Sequence, residues 1–406
     1  MRLLVVLNGG ADHPSTRFRV LQHLDRLRAR GIEPEPLVAK RTEGYGPIQL
    51  RRHAARCDAV LIQKKLFSPW KLHLLPQGVP VAFDFDDALF EASPTEAARY
   101  GQEKAERRAA ARRRRLQALL RRAALVLAGN RFLSEHAARL APARAPRIEI
   151  LPTGVDLRPF PEERVRAAAA RRAASTGGPR IGWIGSRASL RYLATLASPL
   201  RAACARVPGT RLVQVCNDFL DLPGVPTEKV IWSAEREEED LLGFDVGLMP
   251  IDDRPFSHGK CGLKILQYQA AGVPVVCSPV GANLEIVEPE VTGLFATGEA
   301  EWTQAMVRLL QDRERGRRFA AAGRARVEAV YSADRIGARL ADALATLKTP
   351  AGRKRGRDAV VAGSGGDDAG RKPGERRNKP EEHERLLVAD HLRERPAVLA
   401  ARVRPK

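Results

Sequence analysis

The chain has 406 residues, of which 44% are hydrophobic and 5% aromatic, and it carries a formal charge of +21. That length exceeds one ordinary hydrophobic core and calls for two domains, and the apolar share excludes wholesale disorder. The arginine-dominated charge points to an anionic partner, whether nucleic acid, an acidic membrane surface or a phosphorylated small molecule.

The start, MRLLVVLNGG, is too short for the apolar region of a signal peptide, and no run approaches the length of a membrane-spanning helix. Cys57, Cys204, Cys216, Cys261 and Cys277 are dispersed, with no CxxC pair and no histidine at metal-ligand spacing. They read as reduced thiols of a cytoplasmic protein, soluble or peripheral, without a zinc site.

Short apolar runs at residues 3–7, 59–62, 79–83, 125–128 and 148–151 alternate with longer Ala/Arg/Leu stretches of helical period. Between the first two runs, STRFRVLQHLDRLRARG offers Ser15 as N-cap, Phe18, Leu21, Leu24 and Leu27 on one face, and Gly31 as a stop. This strand-helix-strand rhythm predicts a parallel sheet covered by helices on both faces. Asn8, Gly9 and Gly10 end the first strand, where glycines either let the backbone approach a phosphate or sugar or form a tight turn. Arg17 and Arg19 point to the cleft mouth if the helix starts near Ser15; they suit an acceptor phosphate or a surface role. Asp84, Asp86 and Asp87 follow the apolar run VPVAF. EKAERRAAARRRRLQALLRRAALVLAGN, which ends at Asn130, is an amphipathic helix and strand. Its arginine face, residues 107–122, lies opposite Leu116, Leu119 and Leu120, and is either a contact for an anionic leaflet or a solvated face.

The rhythm breaks at ILPTGVDLRPFPEERVRAAAARRAASTGGP, a Pro- and Gly-bearing stretch expected to link the domains with some helix inside it. It resumes with runs at 180–184, 211–216, 229–232, 246–249 and 273–277. Two doubly wound α/β domains follow, with the ligand in the cleft outside the carboxyl ends of their strands. The boundaries read as 1–165, a linker at 166–179, 180–332, a terminal helix at 333–348 with Ile336, Leu340, Leu344 and Leu347 on one face, and a tail at 349–406. The tail is rich in Gly, Lys, Arg and acids and is expected to be disordered, with a short helix near residues 386–392. Its interspersed acids and lack of aromatics favour a solvated extension over a nucleic-acid arm.

HGKCGLKILQYQAAGVPVVCSP holds the sharpest signal. Gly262 stands where a loop enters a helix, so Lys260 and Lys264 flank the free amides of its first turn. Those amides and the helix dipole already favour an anion, and two ammonium groups suit a diphosphate.

The run FDVGLMPIDDRPFSHGKCGLKILQYQAAGVPVVCSPVGANLEIVEPEVTGLFA, with the later AAGRARVEAVYS and with PSTRFRV, FDFDDALF, LAGN and PTGVD upstream, resembles the GT-B-fold glycosyltransferases of family 4 over residues 1–347. The resemblance implies two Rossmann-like domains facing a cleft, an acceptor held by the first and a sugar-nucleotide donor held by the second. It also implies a terminal helix that crosses back to the first domain, retention of anomeric configuration, and no metal or other cofactor. The donor set it implies comprises Gly9, Gly10, Gly185, Ser186, Trp232, Gly262, Leu263 and Gln267, and the acceptor or sugar set Arg17, Asp84, Asp86, Asp87 and Asn130. An Asp-x-Asp chelates metal in a different glycosyltransferase fold; here it is read as hydrogen-bonding sugar or acceptor. Two departures stand out. The family's glutamate pair falls on Gly259 and Gln267, and its Arg/Lys pair falls on Ser186 and Arg191, with Arg187 one place off. Lys260, Lys264 and either Arg187 or Arg191 are therefore expected to neutralise charge on the leaving diphosphate. The expected activity is transfer of a sugar to a lipid-linked or polysaccharide acceptor; the alternatives are a silent sugar-nucleotide-binding protein and a sugar-nucleotide epimerase.

Overall fold

A computed structural model describes residues 1–38 and 47–347. Its first half builds a parallel sheet from β1 (Arg2–Leu7), β2 (Glu33–Val38), β3 (Ala59–Gln63), β4 (Val81–Phe85), β5 (Leu125–Ala128) and β6 (Arg147–Ile150), in the order β2-β1-β3-β4-β5-β6. The second half builds another from β7 (Arg180–Ile184), β8 (Arg211–Cys216), β9 (Thr227–Ile231), β10 (Val246–Met249), β11 (Val275–Cys277) and β12 (Gly293–Phe295), in the order β12-β11-β10-β7-β8-β9. The winding reverses between β1 and β3 in one sheet and between β7 and β10 in the other. At such switch points the loops diverge and leave a crevice at the carboxyl ends of the strands.

Central strands are buried on both faces, so β1, β3 and β5 read as near-continuous apolar runs. Edge strands tolerate more. β2 is EPEPLV, and its prolines at 34 and 36 are possible because one side of an edge strand has no partner to receive an N–H. β11 begins after Pro274, two residues later than its apolar run suggests, and β4 lies two residues further on than its run.

The N-terminal helix differs from its sequence reading. It starts at Pro14 with His13 as N-cap, which leaves Ser15 in the first turn, and it breaks at Val20 before a short 3₁₀ turn and a second helix, Leu24–Arg28. Leu24 and Leu27 are buried and Leu21 only partly so.

Leu3, Val5 and Leu7 of β1 share a core with Leu24 and Leu27 on one face of the first sheet. The terminal helix Ala333–Ala345 adds Ile336, Leu340 and Leu344 to that same core. The stretch read as linker holds a helix, Glu162–Ala174, whose Val165 and Ala168 share a core with Phe244, just before β10, and Tyr268, on the helix Leu263–Ala270. The chain crosses between the halves twice, side by side: Val155 donates its N–H to Tyr331 O (2.9 Å) and accepts from Ala333 N (2.8 Å). The tail at 349–406, with its expected disorder and short helix, lies outside the described residues.

Candidate functional site

The helix Leu263–Ala270 begins at Gly262, whose φ of +65° is left-handed and suits glycine. The loop before it fits tightly against the first sheet's loops. A Cβ at Gly259 would collide with the backbone nitrogen of Ala88, and Cys261 donates its thiol to Asp86 O (3.4 Å). Asn130 fixes the same loop. Its Oδ1 caps the helix Arg131–Leu140 at Leu133 N (2.9 Å), while its Nδ2 donates to the carbonyls of His258 (2.9 Å) and Lys260 (3.0 Å). Asn130, expected to meet acceptor or sugar, thus ties the lysine loop to the first sheet's side.

Lys260 Nζ lies 5.1 Å from the Phe256 ring centroid and 6.0 Å from that of Tyr192, and Lys264 Nζ lies 5.5 Å from that of Trp183. Both side chains are partly buried. Among the described residues neither ammonium forms an ion pair with a carboxylate. Burial, reinforced by the charge of Lys260, lowers the Lys264 pKa to about 7. Two lysines at a helix start, with no carboxylate paired to either among the described residues, make a setting that favours an anion.

Of the two candidate arginines, the fold brings Arg191 to this cluster. Its guanidinium stacks 4.2 Å from the Tyr192 ring centroid, donates to the Tyr192 hydroxyl and lies 3.5 Å from Asp252. Tyr192 in turn meets Ser257 Oγ at 2.9 Å, and Ser257 donates to Asp252. Arg187 is 85% exposed and its nearest acid is Asp218, at 3.9 Å. Ser186 is exposed at the turn that follows β7, where its N–H donates to Ser189 Oγ (3.0 Å). A Cβ at Gly185 would strike the Trp183 ring, so glycine keeps this strand end against the ring beneath Lys264. Leu263 packs half-buried on the second core.

One turn along from Lys264, Gln267 donates Nε2 to Glu237 Oε1 (3.1 Å). The same carboxylate accepts from Trp232 Nε1 (2.7 Å) and from Arg17 through both terminal nitrogens (2.9 and 3.2 Å). Arg17, expected at the cleft mouth, forms an ion pair with Glu237 across the cleft. Glu237 was not singled out from the sequence. It lies inside the acidic run EREEED, where nothing distinguishes it from its exposed neighbour Glu239.

The aspartates after β4 are also occupied. Asp84 is 2% exposed and pairs with Arg19, which also donates to Leu151 O (2.7 Å). Asp86 and Asp87 both pair with Lys64, whose Nζ donates to Ser15 Oγ at 2.9 Å. These ion pairs join the ends of β3 and β4 to the helix Pro14–Arg19. Among the described residues no group of three His, Cys, Asp or Glu side chains is placed to hold a metal ion. The turn at Gly9 and Gly10 is closed by His13 N donating to Gly10 O (3.1 Å), and Gly10 is exposed with open space where a Cβ would stand.

Residues 227–312, which include the lysine loop, its helix and Glu237, match the family model described as glycosyl transferases group 1. A 228-residue stretch is 31% identical to a GDP-mannose-dependent alpha-(1-6)-phosphatidylinositol monomannoside mannosyltransferase of Mycobacterium tuberculosis, covering 52% of this chain and 58% of that protein. The chain therefore spans little more than half the length of that relative. Sucrose-phosphate synthase from Thermosynechococcus elongatus superposes with a TM-score of 0.63 at 17% identity, covering 86% of this chain and 99% of the other. Anabaena Alr3699/HepE, solved in complex with UDP-glucose, gives 0.60 at 14% identity, covering 85% and 100%. The chain thus has the two-sheet GT-B fold of these neighbours, and its residues 227–312 are similar to the glycosyl transferases group 1 model.

Proposed function

We propose that this protein is a glycosyltransferase that moves a sugar from a nucleoside diphosphate to a lipid-linked or glycan acceptor, with retention of configuration. The observation that carries the reading is the pair Lys260 and Lys264 at the start of the helix Leu263–Ala270, with no carboxylate against either ammonium among the described residues. As the glycosidic bond breaks, charge builds on the leaving phosphate. Fixed cations and amides placed there lower the barrier, each by about 3 kcal/mol by analogy with oxyanion-hole donors. Arg191 joins them through Tyr192, and Gln267, one turn on, meets the ribose. The departing phosphate oxygen takes the acceptor's proton on the same face, so no separate base and no metal is needed.

Among the described residues no helix is long and apolar enough to cross a membrane. We place the protein at the cytoplasmic face of a membrane, held by the helix Gln102–Arg122. Arg114, Arg115 and Arg121 are exposed on that helix, whereas Arg112 and Arg113 are tied to the carbonyls of Leu89 and Phe90. Each arginine near an anionic surface contributes about 1 kcal/mol. Cosedimentation with anionic vesicles should be lost on Arg114→Glu/Arg121→Glu; undiminished binding would remove this part of the reading.

The activity is tested by incubating the purified full chain with GDP-mannose, the donor in the mycobacterial relative's name, and with UDP-glucose, both without acceptor. Slow release of nucleoside diphosphate is expected. Binding without release would indicate a silent binding protein, a reading favoured by Gly259 and Gln267 in the glutamate positions. Conversion of the sugar to its epimer would indicate an epimerase.

A further inference from the structure

We infer that Glu237 is a positioning residue that fixes the Gln267 amide with its carbonyl Oε1 presented to ligand hydroxyls, its own buried charge being neutralised by Arg17 of the first domain. The inference rests on the proposed function for the ligand class, a nucleoside diphosphate, and on the following geometry for the role.

A carboxylate is acceptor-only, with about four lone-pair directions. Glu237 fills all four: Arg17 Nη2 and Gln267 Nε2 on Oε1, Arg17 Nη1 and Trp232 Nε1 on Oε2. Glu237 is 7% exposed, so no capacity remains for a ligand, and its effect passes through its partners. Because the atom facing it must be a donor, Gln267 is held with Nε2 inward. Its Oε1 has no partner among the described residues and is the group left for a ligand. A free glutamine rotates to offer either atom; this one, with an Nε2 hydrogen spent on Glu237, keeps its carbonyl Oε1 turned away from the carboxylate. The complementary ligand group is an O–H, which selects the ribose diol over a deoxygenated sugar. Two of the four donors come from Arg17, on the helix Pro14–Arg19 after β1, while Glu237, Trp232 and Gln267 belong to the second sheet's side. The charge that neutralises the buried Glu237 carboxylate therefore comes from the first sheet's side.

The test uses UDP, GDP and ADP with the full chain, by calorimetry. Whichever binds the parental protein most tightly is compared with its 2′,3′-dideoxy analogue. The parental protein should prefer the ribose form by about tenfold or more, the effect of one to two hydrogen bonds. Gln267→Met should cut that ratio to below about threefold. Arg17→Met/Glu237→Leu, which leaves no buried charge unpaired, should cut it to the same level although Gln267 is intact, with diphosphate binding itself retained. Glu237→Ala is measured as well, so that at least one cooperatively melting variant reports. A tenfold ratio that survives in either folded Glu237 variant overturns the inference while leaving the proposed function standing. So does a parental protein that binds both forms equally. Failure of all three diphosphates to bind the parental protein overturns both.

Discussion

Lys260 and Lys264 stand within electrostatic reach of one another at the start of one helix, each near an aromatic ring and, among the described residues, neither against a carboxylate. Two like charges are held there at a cost, and an anion relieves it. With burial as the main cause, the Lys264 pKa falls from 10.5 to about 7.

That shift fixes a pH dependence. Between about pH 7 and 10.5 the unfolded chain keeps a proton on Lys264 that the unliganded fold has lost, so this residue makes stability rise with pH across that window. A bound diphosphate restores the proton. Its affinity is therefore predicted to weaken as pH rises above 7, and binding at pH 8 should take up close to one proton. Calorimetry in buffers of different ionisation enthalpy measures the uptake, which Lys264→Met should abolish. Uptake of similar size in that variant would assign the proton elsewhere.

Asp84→Ala leaves the Arg19 guanidinium buried without its carboxylate, with Leu151 O as a remaining partner. Removing one member of a buried pair costs about 3–5 kcal/mol. Urea unfolding should show a loss of that order, with the diphosphate site reporting only through the lost fold. A fully stable Asp84→Ala with weakened sugar binding would restore Asp84 as a ligand.

Gly259→Ala is predicted to separate the lysine loop from the first domain, because the new methyl meets the backbone of Ala88, which cannot rotate away. The φ of Gly259 is −74°, so conformational strain is not the cause. Turnover should fall at least about tenfold with little change in melting temperature. Parental turnover would mean that the contact with Ala88 does not position Lys260.

Chelation is expected to leave turnover intact, since Asp86 and Asp87 already pair with Lys64 and charge neutralisation falls to Lys260, Lys264 and Arg191. A strict Mg²⁺ or Mn²⁺ requirement, with activity restored by the ion, would overturn this assignment.

Strands β5, β7, β8 and β10 coincide with their apolar runs because a strand buried on both faces leaves an unbroken hydrophobic signature. β2 escaped notice because prolines at 34 and 36 argue against a strand wherever its edge position is unknown, and β12 because it has three residues. At the site, the lysines and Gly262 were legible as a loop entering a helix. The roles of Arg17, Asp84 and Asn130 were not. Each is decided by a partner far away in sequence, Glu237, Arg19 and the carbonyls of 258 and 260 respectively, and a polar side chain at a strand end looks the same whether it awaits a ligand or fills an internal ion pair.

The central claim, that a donor diphosphate is held at this helix start, is tested most directly by the turnover and melting temperature of Lys260→Ala and Lys264→Ala, measured beside the control Lys71→Ala at saturating donor. A first-turn ammonium slightly opposes the helix dipole, so both variants should fold as well as the parent or better. Each should lose about a hundredfold or more in turnover, because the lost contact strengthens as charge develops on the leaving phosphate. Near-parental rates in both, with folding unchanged, would contradict the account and move the diphosphate site to Arg187 and Arg191.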